Sequence, residues 1–235
     1  MRLFAAVRRS ALTAGDLEDF HDLLRRASVP EDAKHGLVSR MTSADRYYHD
    51  AFHLVQLWRR HRQFAPRAGM DAPEIETLIA CAIAYHDAVF VAERSDNEER
   101  SAQLWLGDSD GATMNDADRR WVCDTIRATR DHPNRRAFED DPVGDGSGAC
   151  LRRRARDWML DLDLTPLGEP QRAFERNTRL LRREASPSND AEYDARQRAF
   201  FRRFLSQERI YHTPVLAAKY EAQARRNIAR ALAGS

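Results

Sequence analysis

Cysteine is scarce in this sequence, and its spacing excludes two classes of small, cross-linked domain. The 235 residues include only Cys81, Cys123 and Cys150, and no two of them form a CxxC pair. An odd number of widely separated cysteines indicates neither a zinc ribbon nor a disulfide framework. Because Cys81 and Cys123 fall within apolar helical patterns, we expect both to be reduced residues of the core.

Lysine is nearly absent as well, and charge of one sign does not dominate. Of 38 basic residues only Lys34 and Lys219 are lysines, which leaves 36 arginines, a bias that we attribute mainly to a GC-rich genome. The 37 acidic residues bring the formal net charge to +1. So small a net charge gives no global field that would attract nucleic acid or an anionic membrane. The arginine run at 152–154 is interpreted as the solvated start of a helix, with nucleic-acid binding as the alternative.

Long hydrophobic runs are missing too. No apolar stretch approaches the roughly 20 residues of a membrane span. Residues 1–16 lack the apolar region and the cleavage site of a signal peptide. We therefore expect a cytoplasmic, bacterial protein with no membrane partner, and the sequence leaves its oligomeric state open.

Strand signals are sparse, whereas apolar residues recur at helical spacing along the chain. This pattern predicts an all-α protein with one domain over residues 1–235, a core at about 40–170 and a helical extension at about 170–232. A Gly- and Pro-rich loop at 133–149 is predicted to be either an active-site flap or a simple connection. The predicted helices lie at about 15–27, 31–41, 44–63, 73–90, 96–106, 116–131, 151–164, 170–185, 189–206 and 214–232.

The segment AIAYHDAVF, residues 82–90, places two titratable residues at the end of an apolar helix. His86 and Asp87 continue the spacing of the preceding apolar stripe, so both are expected to face the core. A buried carboxylate needs a cation or several hydrogen-bond donors. The alternatives are a core histidine that is hydrogen-bonded to its neighbour and a polar pair at a helix end.

Other predicted helices also direct polar residues towards the core. His49 and His53 are four residues apart and share one face of a helix that is apolar nearly all round. His132 extends the apolar stripe of a third helix, where a histidine would also interact favourably with the helix dipole. Asp161 and Asp163 flank the stripe of a fourth helix, one on each edge, so helical geometry does not choose between them.

Imidazoles and carboxylates from separate helices suit a divalent metal ion with nitrogen and oxygen ligands. Thiolates are absent from the set. Manganese, iron, nickel, cobalt and magnesium are therefore candidates alongside zinc.

Eight motifs occur in a fixed order over about residues 40–230. They are RYYHDAFH (46–53), AIAYHDAVF (82–90), DNEERSA (96–102), TRDH (129–132), DLDLTPLG (161–168), LRRE (181–184), IYHT (210–213) and EAQARRN (221–227). This order resembles the HD superfamily of metal-dependent phosphohydrolases, which is named for its His-Asp doublet, and is similar to a bacterial group of predicted HD phosphohydrolases.

The resemblance implies an HD-type helical bundle whose metal is held by His53, His86, Asp87 and one late aspartate. For the last position we favour Asp161, with Asp163 as the alternative. The implied activity is hydrolysis of a phosphoester, of a small molecule or a nucleotide, by a metal-activated water. The alternative is a non-catalytic sensory module of the same fold that binds a metal or a nucleotide.

Further residues are candidates for the chemistry around that ion. His49 is interpreted as a phosphate donor, a general acid or a group that supports the ligands. Arg46, on the same predicted helix, is a candidate phosphate clamp. Glu98 and Glu99 are candidates to orient ligands or metal water, with an ordinary alternative in which Ser95 and Glu98 form a capping box and Glu99 is a surface charge. His132 could hold a second metal ion, although a single ion is expected.

Overall fold

The computed structural model describes residues 12–27, 29–92, 94–110, 114–134, 147–185 and 189–234. These residues form ten α-helices and no β-strand, which confirms the predicted all-α class. The helices are α1 (Ala14–Arg26), α2 (Glu31–Met41), α3 (Ala51–Ala68), α4 (Pro73–Tyr85), α5 (Asn97–Asp108), α6 (Asp116–Ala128), α7 (Ser147–Leu164), α8 (Gln171–Ala185), α9 (Asp190–Leu205) and α10 (Pro214–Ala233), with short 3-10 helices at Thr129–Asp131 and Thr165–Gly168. Most of the predicted 133–149 loop, residues 135–146, lies outside the described residues. No described helix combines the length and the apolar character needed to cross a membrane.

Helix α4 runs through the core and ends at the candidate site. Every residue from Ile79 to Tyr85 is fully buried, as expected for a helix that is apolar on all sides. It packs against α1, α6 and α7. Its C-terminal end therefore brings His86 into the interior.

Helix α3 begins seven residues later than its sequence pattern predicts, at Ala51 instead of about 44. Asp50 is the N-cap and accepts a hydrogen bond from the amide of His53, which satisfies one of the free donors at a helix start. The amides of Tyr47, Tyr48 and His49 donate to a side chain of α8 instead of joining a helix. The prediction that Arg46 and His49 lie on the same helix as His53 is therefore wrong.

Helix α4 ends at Tyr85, five residues before the predicted end. The next turns are held by side chains that replace the helical hydrogen bonds. Arg46 donates to the carbonyl groups of Asp87 and Ala88. The hydroxyl group of Ser101 both accepts from and donates to the backbone of Val89.

The DNEERSA segment at the start of α5 completes this support. Asn97 binds both backbone groups of Val91 through its side-chain amide. The N-cap of α5 is Asp96, and no side chain caps this end of the helix, so the predicted capping box of Ser95 and Glu98 is wrong. The motif therefore fixes the loop that follows His86.

The C-terminal helices are attached through the DLDLTPLG segment. Asp161 is fully buried, and its carboxylate accepts hydrogen bonds from the amides of His212 and Thr213 and from the Thr213 hydroxyl group. Gly168 lies so close to α10 that a Cβ atom on it would stand 2.6 Å from Cβ of Tyr220. These contacts explain why α10 packs closely on the 3-10 helix 165–168.

Candidate metal centre

Four side chains of metal-ligand type meet inside the bundle. His53 comes from α3, His86 and Asp87 follow α4, and Asp163 lies in the last turn of α7. The two Nε2 atoms of His53 and His86 are 3.3 Å apart. Oδ1 of Asp163 lies 3.3 Å from the first of them and 3.4 Å from the second.

Asp87 lies on another side of the group. Its Oδ2 atom is 3.0 Å from Nε2 of His86 and 3.8 Å from Nε2 of His53. Ligand atoms bound about 2.1 Å from one ion stand roughly 3.0–3.4 Å apart when the angles at the ion are between right and tetrahedral. The spacings among His53, His86 and Asp163 lie within this range, so these three residues fit one divalent ion of the transition-metal or magnesium size, and Asp87 lies beside them, nearest to His86.

The tautomer of His86 suits a ligand. Its Nδ1 atom is 3.0 Å from the carbonyl oxygen of Ile83. A carbonyl only accepts, so Nδ1 must carry the proton and Nε2 presents its lone pair to the group in the neutral ring. This backbone contact is the kind of support that commonly orients a metal-binding histidine.

The electrostatics of the group require a positive charge. Burial opposes protonation of His86, but the carboxylates of Asp87 and Asp163 outweigh it and hold the pKa of His86 well above its ordinary value. Burial alone would raise the pKa of both aspartates, but the neighbouring imidazoles lower each pKa well below its ordinary range. Two largely buried carboxylates thus favour a neighbouring positive charge. A proton on His86 can supply this charge, and a metal cation that displaces the proton can supply it as well.

The structure separates the two late aspartates that the sequence left equivalent. Asp163 lies among the imidazoles, whereas Asp161, on the opposite edge of α7, binds the backbone at the start of α10. The slight preference for Asp161 as a ligand therefore does not agree with the geometry, which favours Asp163. The physical reason is that Asp161 already has its donors from residues 212 and 213.

His132 joins the group from the end of the 3-10 helix 129–131. Its Nε2 atom is 2.8 Å from Oδ2 of Asp163, whereas Oδ1 of the same carboxylate faces the other imidazoles. One carboxylate oxygen thus faces the ligand group and the other is held by His132. This contact suits a residue that orients a ligand carboxylate.

His49 stands beside the group without belonging to it. Its Nε2 atom is 3.9 Å from Oδ2 of Asp87, and its Nδ1 atom is 2.5 Å from Oε2 of Glu184. Burial disfavours the imidazolium form, but the Asp87 and Glu184 carboxylates outweigh burial and raise the pKa of His49.

Arg46 does not have the role of a phosphate clamp that the sequence suggested, because its guanidinium group is bound to the backbone. Its guanidinium group donates to the carbonyl oxygens of His49, Asp87 and Ala88 at 2.6–2.9 Å. These bonds tie the segment before α3 to the loop that carries Asp87. The arginine therefore supports the backbone on both sides of the site.

Glu99 is also engaged elsewhere. Both of its carboxylate oxygens accept hydrogen bonds from Arg127 across α5 and α6, and Gln103 binds it within α5. Among the described residues it makes no contact with the histidines or aspartates of the site. The predicted role of Glu99 in orienting ligands is not supported by this placement.

Sequence reasoning missed Glu184, Asn97 and Ser101 as determinants of the site. All three are buried polar residues. Each lies within one of the quoted motifs, but the motif alone does not reveal its partner. For Glu184 a signal was present, because it lies on the same buried stripe of α8 as Phe174 and Leu180 and a buried carboxylate must have nearby donors.

Comparison with known proteins adds no identification, because no family model, no curated protein and no solved structure matches the chain. The resemblance to the HD superfamily therefore stays a prediction that rests on the quoted motifs.

Proposed function

We propose that the protein is a metal-dependent phosphohydrolase of the HD type, acting on a small phosphorylated molecule or a nucleotide. The observation that carries this proposal is the convergence of His53, His86 and Asp163, whose ligand atoms lie 3.3–3.4 Å from one another, with Oδ2 of Asp87 3.0 Å from Nε2 of His86. Together with the order of the motifs, this geometry supports one divalent ion. The expected cytoplasmic, bacterial setting belongs to the same proposal.

The ligands would be His53, His86, Asp87 and Asp163. When bound, a divalent cation polarises a phosphoryl oxygen and lowers the pKa of a water molecule, so that water can attack phosphorus near neutral pH. Four protein ligands leave coordination positions for both partners if the ion prefers six.

The remaining residues of the site position the ligands and control access. His132 holds the outer oxygen of Asp163, and Arg46 holds the backbone that carries Asp87. The side chains of His53 and His86 are 2% and 1% exposed, whereas those of Asp87 and Asp163 are 17% and 14% exposed. A substrate therefore reaches the site from the side of the two carboxylates.

The decisive experiment measures metal content and turnover on one preparation. The protein is loaded in turn with manganese, iron, nickel, cobalt, magnesium or zinc and screened against phosphate esters of metabolites, nucleotides and p-nitrophenol. We expect hydrolysis with at least one metal, its loss in Asp87→Ala, and its retention in Asp124→Ala, a change at an aspartate on the exposed side of α6.

Two results would contradict the proposal. Hydrolysis that survives Asp87→Ala would show that another site is responsible. A folded, metal-loaded protein that hydrolyses none of the esters would be a binding or sensory module instead of an enzyme.

A further inference from the structure

His49 is held in one orientation by Glu184. Nδ1 of the ring is 2.5 Å from Oε2 of the carboxylate. The carboxylate is nearly inaccessible, with a side chain that is 2% exposed. Its other oxygen, Oε1, accepts hydrogen bonds from the amides of Tyr47, Tyr48 and His49 at 2.9–3.1 Å.

A carboxylate fixed by three backbone donors cannot turn to follow a mobile ring. The ring must therefore adapt to the carboxylate, with its Nδ1 proton directed at Oε2. Phe90 stacks on the imidazole with ring centres 4.5 Å apart, and Tyr48 packs edge-on at 4.9 Å. Hydrogen bonding and packing together fix the direction of Nε2.

Nε2 of His49 is the ring nitrogen best placed to meet a substrate. Nε2 of His53 and Nε2 of His86 face each other inside the ligand group, and Nε2 of His132 is engaged by Asp163. Nε2 of His49 stands 3.9 Å from Oδ2 of Asp87, which is beyond hydrogen-bond range. His49 also lies on the accessible side of the site, with a side chain that is 18% exposed.

We propose that His49 donates its Nε2 proton to the leaving oxygen of the phosphoester, that Glu184 is the positioning residue that holds His49 for this transfer, and that the natural substrates are phosphoesters of aliphatic alcohols. This inference rests on the proposed function. It names the substrate class and the proton donor of the same site.

The step balances without a further reactant. The oxygen of water forms a bond to phosphorus, and the bond between phosphorus and the ester oxygen breaks. The departing oxygen takes the Nε2 proton of doubly protonated His49, which leaves the ring neutral with Nδ1–H still on Glu184. The proton lost by the attacking water returns to the ring through solvent, so a monoester yields the free alcohol and inorganic phosphate.

The substrate class follows from the need for such a donor. An aliphatic alkoxide is strongly basic and leaves readily only when it is protonated, whereas p-nitrophenolate leaves without a proton. A dedicated acid contributes about 10²–10⁴-fold in rate when the leaving group needs it. A carboxylate and a histidine arranged for this purpose therefore indicate an alkyl ester.

The test compares one alkyl ester with one aryl ester. Metal-loaded wild type, His49→Gln and Glu184→Gln are assayed for kcat and KM on glycerol 2-phosphate and on p-nitrophenyl phosphate. We expect both variants to lower kcat on the alkyl ester by about 10²–10⁴-fold and on the aryl ester by less than about 10-fold. Glu175→Gln, a change on the same helix at a residue that binds Gln171, should leave both rates unchanged.

A double variant and an NMR measurement distinguish a positioning role of Glu184 from a role in folding alone. The double variant should lose no more activity than His49→Gln alone, because the two residues act as one unit. Nitrogen NMR of the metal-free protein should show His49 protonated at Nδ1 in wild type. In Glu184→Gln the protonation should change, because the amide that replaces Oε2 donates to the ring. If Glu184→Gln does not fold, the ester comparison with His49→Gln decides the proton donor, and the Nδ1 proton in wild type decides the role of Glu184.

The two proposals fail in different ways. Equal loss of activity on both esters, or a wild-type ring without the Nδ1 proton, would overturn the roles of His49 and Glu184 while leaving the phosphohydrolase intact. Absence of metal-dependent hydrolysis of either ester by wild type would instead overturn the proposed function.

Discussion

Two aspartates that lie two residues apart in α7 have different roles. Asp163 contacts three imidazoles, whereas Asp161 accepts hydrogen bonds from two backbone amides and a hydroxyl group. The pair therefore offers a direct comparison between a ligand carboxylate and a structural one.

We predict that Asp163→Asn loses bound metal, whereas Asp161→Asn keeps it and is less stable. The amide introduced at position 163 would be a poor ligand compared with a carboxylate. The amide introduced at position 161 would turn one acceptor oxygen into a donor that faces buried donors, at a cost of about 1–3 kcal/mol in the free energy of unfolding. Elemental analysis and urea unfolding of both variants test this, and retention of metal by Asp163→Asn would contradict it.

Arg46 donates hydrogen bonds to backbone carbonyl groups, although an arginine beside such a site could also have bound a substrate phosphate. Arg46→Ala should lower the free energy of unfolding by about 1–3 kcal/mol, because the partly buried carbonyl oxygens of Asp87 and Ala88 would lose charged donors. Chemical denaturation measures the effect. Arg179→Ala, a change on the exposed face of α8, should alter stability by less than about 0.5 kcal/mol, and an equally small effect for Arg46→Ala would contradict the supporting role.

At the scale of elements, the site depends on loops that are held by side chains from elsewhere in the sequence. The turn after α4 is fixed by Arg46 from before α3 and by Asn97 and Ser101 from α5. The segment before α3 is fixed by Glu184 from α8. These tertiary contacts place His49 and Asp87 without regular secondary structure.

The contact between the 3-10 helix 165–168 and α10 depends on the absence of a side chain. Gly168→Ala should lower the free energy of unfolding by about 1–3 kcal/mol, because the added Cβ would overlap backbone and Cβ atoms of Tyr220 that have little room to move. Thermal and urea unfolding measure the change.

A second glycine provides the control for this prediction. Gly36 lies inside α2, and a Cβ added there meets nothing within 4 Å. Gly36→Ala should therefore stabilise the protein by about 0.5–1 kcal/mol through helix propensity. If both substitutions shift stability in the same direction, the close approach at Gly168 is not the cause.

At the scale of the whole molecule, the core contains a histidine that must stay neutral. His61 stacks on Trp58 and accepts a hydrogen bond from the indole N–H of Trp158. Burial lowers the pKa of His61 to about 4. The unfolded chain, with an ordinary histidine pKa near 6.5, therefore binds more protons than the folded chain between those two values.

We predict that this histidine makes the fold sensitive to acid. Stability is unaffected by His61 above about pH 6.5 and falls as the pH drops towards 4, by about 3 kcal/mol in total. Between pH 7 and pH 4, the free energy of unfolding of wild type should fall by about 3 kcal/mol more than that of His61→Gln. A difference between the two proteins that does not vary with pH would contradict the prediction.

Local periodicity was sufficient to predict that the helices exist and that His86 faces the core, although not where α3 begins and α4 ends. The apolar stripe of α4 continues into His86, and the structure buries this residue at the end of that helix. Apolar residues spaced three and four apart show which face of a helix is apolar, and burial of that face is the main contribution to stability. The existence of a helix and the direction of its buried face can therefore be deduced from neighbouring residues alone.

The partners of the polar residues were decided only by the tertiary structure. Arg46 binds a carbonyl group 41 residues away, and Glu184 binds an amide 137 residues away. Asp161 and Asp163 occupy equivalent edges of one stripe, and only the packing of α10 against one edge and of the histidines against the other separates them. A hydrogen bond or an ion pair depends on the distance between two groups in space. When the two groups lie on different elements, the periodicity of one helix does not predict that distance.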